Sequence, residues 1–254
     1  NKKKNKLKMT KKVLISTGGS GGHVIPAITI YNHLKNNYEI SISTDIRGLS
    51  YLDKNYKTII INTPKLNNFF LFPFSFIKVL YLTLKSFFIL KKKNISILIS
   101  TGGYMSLPLC VAAKLLGIKI FLIEPNIVLG RANKFFLNFS SKLICYSKNL
   151  MNLPSGINQK LITIKPLIRK EYYESNAILK KDNLFTLIII GGSQGAKIFD
   201  ELLNKSFASI AKGIPLKIFH QTSEKNINFL KNFYSQNNIE NRVFSFDHNL
   251  NEVL

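Results

Sequence analysis

Three pairs of glycines each stand at the end of a short apolar run, and this placement constrains the fold more than any other feature of the chain. Gly18-Gly19 follow Val13–Thr17, Gly102-Gly103 follow Ile95–Thr101, and Gly191-Gly192 follow Phe185–Ile190. A helix-forming stretch comes next in every case. A strand that runs through a glycine turn into a helix is the unit of a doubly wound α/β fold, in which ligands lie at the carboxyl ends of a parallel sheet. Other apolar runs predict strands at Ile40–Thr44, Thr58–Asn62, Ile118–Ile123 and Leu143–Tyr146. Helices are predicted near Val24–Lys35, Pro73–Lys92, Ser106–Leu116 and Arg131–Leu137. A second series follows Lys165-Pro166, with strands Phe185–Ile190, Leu216–His220 and Val243–Phe246 and helices Ala196–Lys212 and Ser223–Ser235. The expectation is two Rossmann-like domains with parallel sheets, residues 13–166 and 167–254, after a disordered basic extension at 1–12. The second domain reads as incomplete, because such a half has about five or six strands and the sequence offers fewer.

Charge narrows the partners. The 254 residues carry a formal net charge of +23, which favours an anionic ligand or surface. Lysine and asparagine are abundant throughout, so part of that excess is solvated surface. No arginine-rich arm, RNP-type aromatic motif or zinc-finger spacing points to nucleic acid. The two cysteines, Cys110 and Cys145, both lie in apolar runs and read as small core residues in a reducing compartment. No metal or cofactor is expected. The lysine-rich start lacks the long apolar stretch of a signal peptide.

The segment Phe69–Leu90 is apolar enough to suggest a bilayer span, but Pro73, Lys78 and Lys85 argue against one. Lys78, Lys85 and Lys92 recur every seven residues and so form a basic stripe on one helix. Such a helix either lies in a membrane interface or covers a sheet with its lysines in water.

The loop Thr17–His23 has the glycines and the following helix start that an anion needs for close approach to backbone N–H groups. It is not a Walker loop, because no Gly-Lys-Ser/Thr follows. It departs from G-x-G-x-x-G, and no acidic ribose-binding residue closes the next strand. His23 ends the loop, and imidazole is the side chain most often used as a general base, so it is a candidate for that role. The alternative is a histidine that merely holds the loop by a hydrogen bond. His33, His220 and His248 receive no role.

Taken in order, Thr17–Pro26, Gly102–Pro108, Glu124–Asn126 with Asn133-Lys134, and Gly191–Ala196 resemble the successive signature blocks of the MurG family, in glycosyltransferase family 28. The resemblance extends from Val13 onward. Pro125 stands where the family usually has glutamine, and Lys165-Pro166-Leu167 replaces its usual Gly-Asn-Pro. The family's Gly-Ala-x-Thr-x-x-Glu block is missing, so the chain is expected to be truncated and to transfer nothing by itself. The resemblance implies a GT-B enzyme with its active site between two domains, at the cytoplasmic face of the bacterial plasma membrane. Its donor would be UDP-N-acetylglucosamine and its acceptor lipid I, the undecaprenyl-diphosphate-linked N-acetylmuramoyl-pentapeptide. It implies catalysis by His23 and donor contacts from Ser20, Gly21, Gly22, Asn126, Arg169, Ser193 and Phe246. It further implies a phosphate loop of Gly191, Gly192, Gln194 and Gly195, with Lys78, Lys85 and Lys92 against an anionic membrane.

Two other readings are open at this stage. One is a membrane-docked scaffold that binds lipid-linked sugar and needs a partner for the donor. The other is a sugar-nucleotide epimerase of similar fold, acting on a soluble substrate.

Overall fold

The computed structural model describes residues 11–64, 72–169, 184–191 and 197–245, with the side chains of Phe72 and Lys197 excepted. The chain divides into two compact units, Asn1–Lys170 and Glu171–Leu254.

In the first unit the elements run β1 (Lys12–Ser16), α1 (Gly21–Leu34), β2 (Glu39–Thr44), α2 (Ile46–Leu49), β3 (Thr58–Ile60), α3 (Phe72–Lys92) and β4 (Ile97–Ser100). They continue with α4 (Leu107–Leu115), β5 (Lys119–Glu124), α5 (Arg131–Phe136), β6 (Lys142–Cys145) and β7 (Leu161–Thr163). The strands form one parallel sheet in the order β3-β2-β1-β4-β5-β6-β7. The order reverses at β1 and β4, so the crevice beyond their carboxyl ends is where a doubly wound sheet receives a ligand. Strand periodicity divides the core. Leu14, Leu98, Ile120, Leu122 and Leu143 face one side with α3 and α4 residues, whereas Val13, Ile15, Ile42, Ile99 and Ile123 face the other with Ala27 and Ile30 of α1. Both faces are apolar, which is why these strands read as continuous apolar runs.

Cys110 and Cys145 are buried and free, and burial pushes the Cys110 thiol up to about 12. That thiol is a core group and is not poised as a nucleophile.

The second unit holds β8 (Phe185–Ile189), α6 (Lys197–Ile210), β9 (Leu216–Gln221), α7 (Ile227–Gln236) and β10 (Glu240–Phe244). Its described strands form a parallel sheet in the order β10-β9-β8. Ile218, Leu230, Tyr234 and Val243 centre its core.

The structure corrects several boundaries. Lys12, expected in the disordered extension, is the first residue of β1 and pairs with Glu39. Leu167 packs on the first unit's core and the Ile168 carbonyl meets His33 Nε2 at 3.2 Å, so these residues belong with the first unit and not with 167–254. β10 begins three residues earlier than expected, because it lies beside β9 with Glu240 and Arg242 exposed and shows little apolar alternation. The short elements α2 and β7 were not expected at all.

Candidate active site

The loop after β1 is held open from below by a carboxylate. Asp45, at the end of β2, is buried, and its Oδ1 accepts hydrogen bonds from the Gly19 and Gly48 N–H groups, both at 2.9 Å. Its Oδ2 accepts from Arg47 Nε at 2.9 Å, and the Arg47 guanidinium reaches the Tyr104 hydroxyl. Burial alone would raise the Asp45 carboxyl, but the two backbone N–H bonds and Arg47 outweigh it and hold the group below the usual carboxylate range. The acidic residue that follows the second strand faces inward and fixes the glycine loop. A Cβ on Gly18 would lie 2.9 Å from Asp45 Oδ1, which is why this approach needs glycine.

Above that floor, His23 sits in the first turn of α1 against the loop after β4. Its Nδ1 donates to the Thr101 carbonyl at 2.8 Å. Because a carbonyl only accepts, Nδ1 carries the proton, and in the neutral ring Nε2 keeps its lone pair. Gly102 and Gly103, at φ +91° and +79°, let the ring lie close. A Cβ on Gly103 would come within 3.5 Å of the ring, and one on Gly102 within 3.4 Å of it and 3.3 Å of Asn133 Nδ2. A helix start with Ser20 as N-cap, no side-chain cap and no acidic residue in the first turn leaves the amides of Gly21 and Gly22 oriented for an anion.

The third element is Glu124, buried at the end of β5. Oε1 accepts from the Asn126 N–H (3.2 Å) and from Asn126 Nδ2 (3.0 Å). Oε2 accepts from the Gly130 N–H (2.8 Å) and from Asn133 Nδ2 (3.0 Å). With its Nδ2 so held, exposed Asn126 turns its amide oxygen away from Glu124.

The structure therefore brings Ser20, Gly21, Gly22 and His23 together on one carboxyl edge with Gly102, Gly103 and Asn133, and places Asn126 at the end of the neighbouring β5. Arg169 is half-buried at the end of the described first unit, and Gly191 follows β8. Ser193, Phe246, Gly192, Gln194 and Gly195 lie outside the described residues. Lys78, Lys85 and Lys92 are all exposed on α3. Sequence reasoning missed Asp45, Arg47 and the backbone role of Thr101. The signal for the first two was Asp-x-Arg-Gly directly after an apolar strand.

This arrangement defines a class. Residues 13–145 match the glycosyltransferase family 28 N-terminal domain and residues 186–254 its C-terminal domain, and the chain belongs to that family. Within it, the chain is 46% identical over 241 residues to the UDP-N-acetylglucosamine–N-acetylmuramyl-(pentapeptide) pyrophosphoryl-undecaprenol N-acetylglucosamine transferase of Pelagibacter ubique, covering 94% of this chain and 68% of that protein. The fold is similar to that of Acinetobacter baumannii MurG, with a TM-score of 0.64 at 21% identity over 96% of this chain and 70% of that one. A UDP-N-acetylglucosamine 2-epimerase from Rickettsia bellii has the same fold at a TM-score of 0.55 and 14% identity, covering 93% of this chain and 70% of that one.

Proposed function

We propose that the protein transfers N-acetylglucosamine from UDP-N-acetylglucosamine to the C4 hydroxyl of the N-acetylmuramoyl residue of lipid I, giving lipid II. The observation that carries this reading is the His23 ring, whose Nδ1 proton is committed to the Thr101 carbonyl so that Nε2 is left as the base. As the C4 oxygen attacks the anomeric carbon, its proton passes to Nε2. The bond from that carbon to the diphosphate oxygen breaks with its electron pair, and UDP leaves with inversion. The leaving diphosphate needs fixed positive potential, for which the N–H groups around Gly21 and Gly22, Arg169 and the Gly191–Ala196 loop with Ser193 are the candidates. Asn126 and the backbone at Phe246 are assigned to the donor's sugar and base.

Docking on the inner leaflet is part of the same proposal. The inner face of α3, with Val79, Leu82, Ser86 and Leu90 buried, packs on the core. Its outer face exposes Phe74, Ile77, Tyr81, Leu84 and Phe88 to solvent, at helical spacing. Lys78, Lys85 and Lys92 each lie four residues after one of these and so border the apolar stripe. Pro73–Lys92 has the length and composition to cross a bilayer, with a mean hydropathy of 1.5. Its packed inner face and bordering lysines suit a helix lying along the surface instead. Each lysine near anionic lipid contributes about 1 kcal/mol. Exchanging the three for glutamate is expected to abolish flotation with anionic liposomes at low salt, and unchanged flotation would refute the docking.

The transfer itself is tested by incubating the full-length protein with radiolabelled UDP-N-acetylglucosamine, with and without a lipid I analogue. Label entering the lipid fraction only when acceptor is present supports the proposal. Acceptor-independent conversion to the 2-epimer would establish the epimerase reading in its place.

A further inference from the structure

Two clefts of the first unit meet near the end of α3, and the transfer reaction uses neither. One is a groove of about 400 Å³ on the outer face of the helix, walled by Tyr81, Leu84, Lys85, Phe88, Ile89 and Lys92 and mostly apolar. The other, also of about 400 Å³, is lined by Lys12, Glu39, Ser41, Ile89, Lys92 and Lys93. Ile89 and Lys92 belong to both, so the apolar groove runs on into the lysine-lined cleft.

The second cleft has the composition of an anion site. Three lysines share it with one carboxylate, and that carboxylate, Glu39, is paired with Lys12 at 3.3 Å. Lys92 and Lys93 have no ion pair, and the Ser41 hydroxyl no hydrogen bond, among the described residues. Lysines at the carboxyl end of a helix also serve its dipole, and Lys91 and Lys92 in the last turn of α3 do so. That role does not account for Lys12 and Ser41, which come from β1 and β2.

Position separates this cleft from the reacting groups. Lys12 and Glu39 begin their strands, whereas His23 and the glycine loops lie at the carboxyl ends of the same sheet. What the cleft adjoins is the apolar face of α3. From Tyr81 to Lys92 the helix rises about 16 Å, close to half of the roughly 30 Å hydrocarbon thickness of a bilayer. A groove of that length matches one acyl chain, with the lysines standing where its headgroup begins.

We propose that the two clefts together hold one anionic glycerophospholipid, with an acyl chain in the α3 groove and the phosphate among Lys12, Lys92 and Lys93. Ser41 Oγ donates to a phosphate oxygen. The inference rests on the reading of α3 as the docking helix, and it adds a lipid held at a fixed site to a helix attracted by surface charge at large. A choline headgroup brings its own cation to the lysines and is disfavoured.

Titrating the full-length protein with dihexanoyl-phosphatidylglycerol below its micellar concentration, followed by native mass spectrometry, tests the site apart from bulk membrane charge. One saturable lipid per chain is expected, with dihexanoyl-phosphatidylcholine bound at least about tenfold more weakly. Lys93→Ala is expected to weaken phosphatidylglycerol binding about fivefold. Lys78→Ala, the same charge change on α3 outside the cleft, is expected to leave it unchanged. Phe88→Ser, which removes part of the groove wall, is expected to weaken the lipid about tenfold and to leave glycerol 3-phosphate unaffected. Equal losses from Lys78→Ala and Lys93→Ala, or no saturable lipid, overturn the proposal. Glycerol 3-phosphate bound as tightly as the lipid also overturns it, because the cleft is then a site for a soluble phosphate. Flotation of the protein with Lys78, Lys85 and Lys92 exchanged for glutamate separates the two readings. If flotation is abolished but Lys93→Ala binds phosphatidylglycerol normally, the docking stands and the lipid site falls; unchanged flotation removes both.

Discussion

The carboxyl edges of the two sheets are organised by buried carboxylates, but in different ways. In the first unit Asp45 and Glu124 receive backbone N–H groups of loop residues, at Gly19 and Gly48 and at Asn126 and Gly130. In the second, Asp200 is held by the side chains of Thr222, Asn226 and His220. A carboxylate that binds main chain fixes the loop's path directly, so the loops of the first unit can carry glycines at positive φ and still present His23 in one orientation. A carboxylate that binds side chains fixes the relation between secondary elements. The first edge is thereby specified at the level of one side-chain atom, His23 Nε2, the second at the level of a helix start.

The comparison is sharpest at Glu124. Glu124→Ala removes the acceptor of the Gly130 N–H and of one N–H of buried Asn133, which keeps its bond to the Ile123 carbonyl, while water can reach the exposed Asn126 donors, and a loss of about 3 kcal/mol is expected. In a unit of this size that corresponds to a fall in Tm of roughly 10 °C. A Tm within about 2 °C of wild type would show that loop backbone does not depend on this carboxylate.

Asp45 is expected to contribute less, about 1–2 kcal/mol, because part of its interaction is with the half-exposed Arg47. Its folded pKa lies below the ordinary 3.8, so its stabilisation is complete above that value and is lost as pH falls through the lower, folded one. Asp45→Asn should therefore destabilise the protein at pH 7, and the gap to wild type should close under acid, as followed by urea titrations across pH. A gap constant from pH 7 to the acid limb would mean that Asp45 acts through shape and not through charge. The smallest effect is expected at Cys110, whose buried thiol should remain unmodified by iodoacetamide at pH 8 in the native protein. Labelling at the rate of a free thiol would place it outside the core.

Much of the first unit was legible in the sequence. Strands buried on both faces are uninterrupted apolar runs, and glycine pairs at their ends mark the ligand edge. His23 was legible because it closes one of those loops. What was not legible is what holds the loops in place. Asp45 lies on a different strand from Gly19, 26 residues away. Thr101 acts through its carbonyl, which has no side-chain signature, and Asp200 and His220 meet only once β9 lies beside β8. β10 and β7 were misread or missed because short strands at a sheet's edge bury little and so show little alternation.

The central claim is that His23 Nε2 takes the acceptor proton while Nδ1 is tied to Thr101. His23→Asn tests it most directly, because the asparagine amide can still donate toward the Thr101 carbonyl but offers no base. In the lipid I transfer assay with the full-length protein, kcat is expected to fall about 10²- to 10⁴-fold, with both KM values within about threefold of wild type. A kcat within about threefold of wild type would contradict the account and leave His23 as a residue that only holds the loop.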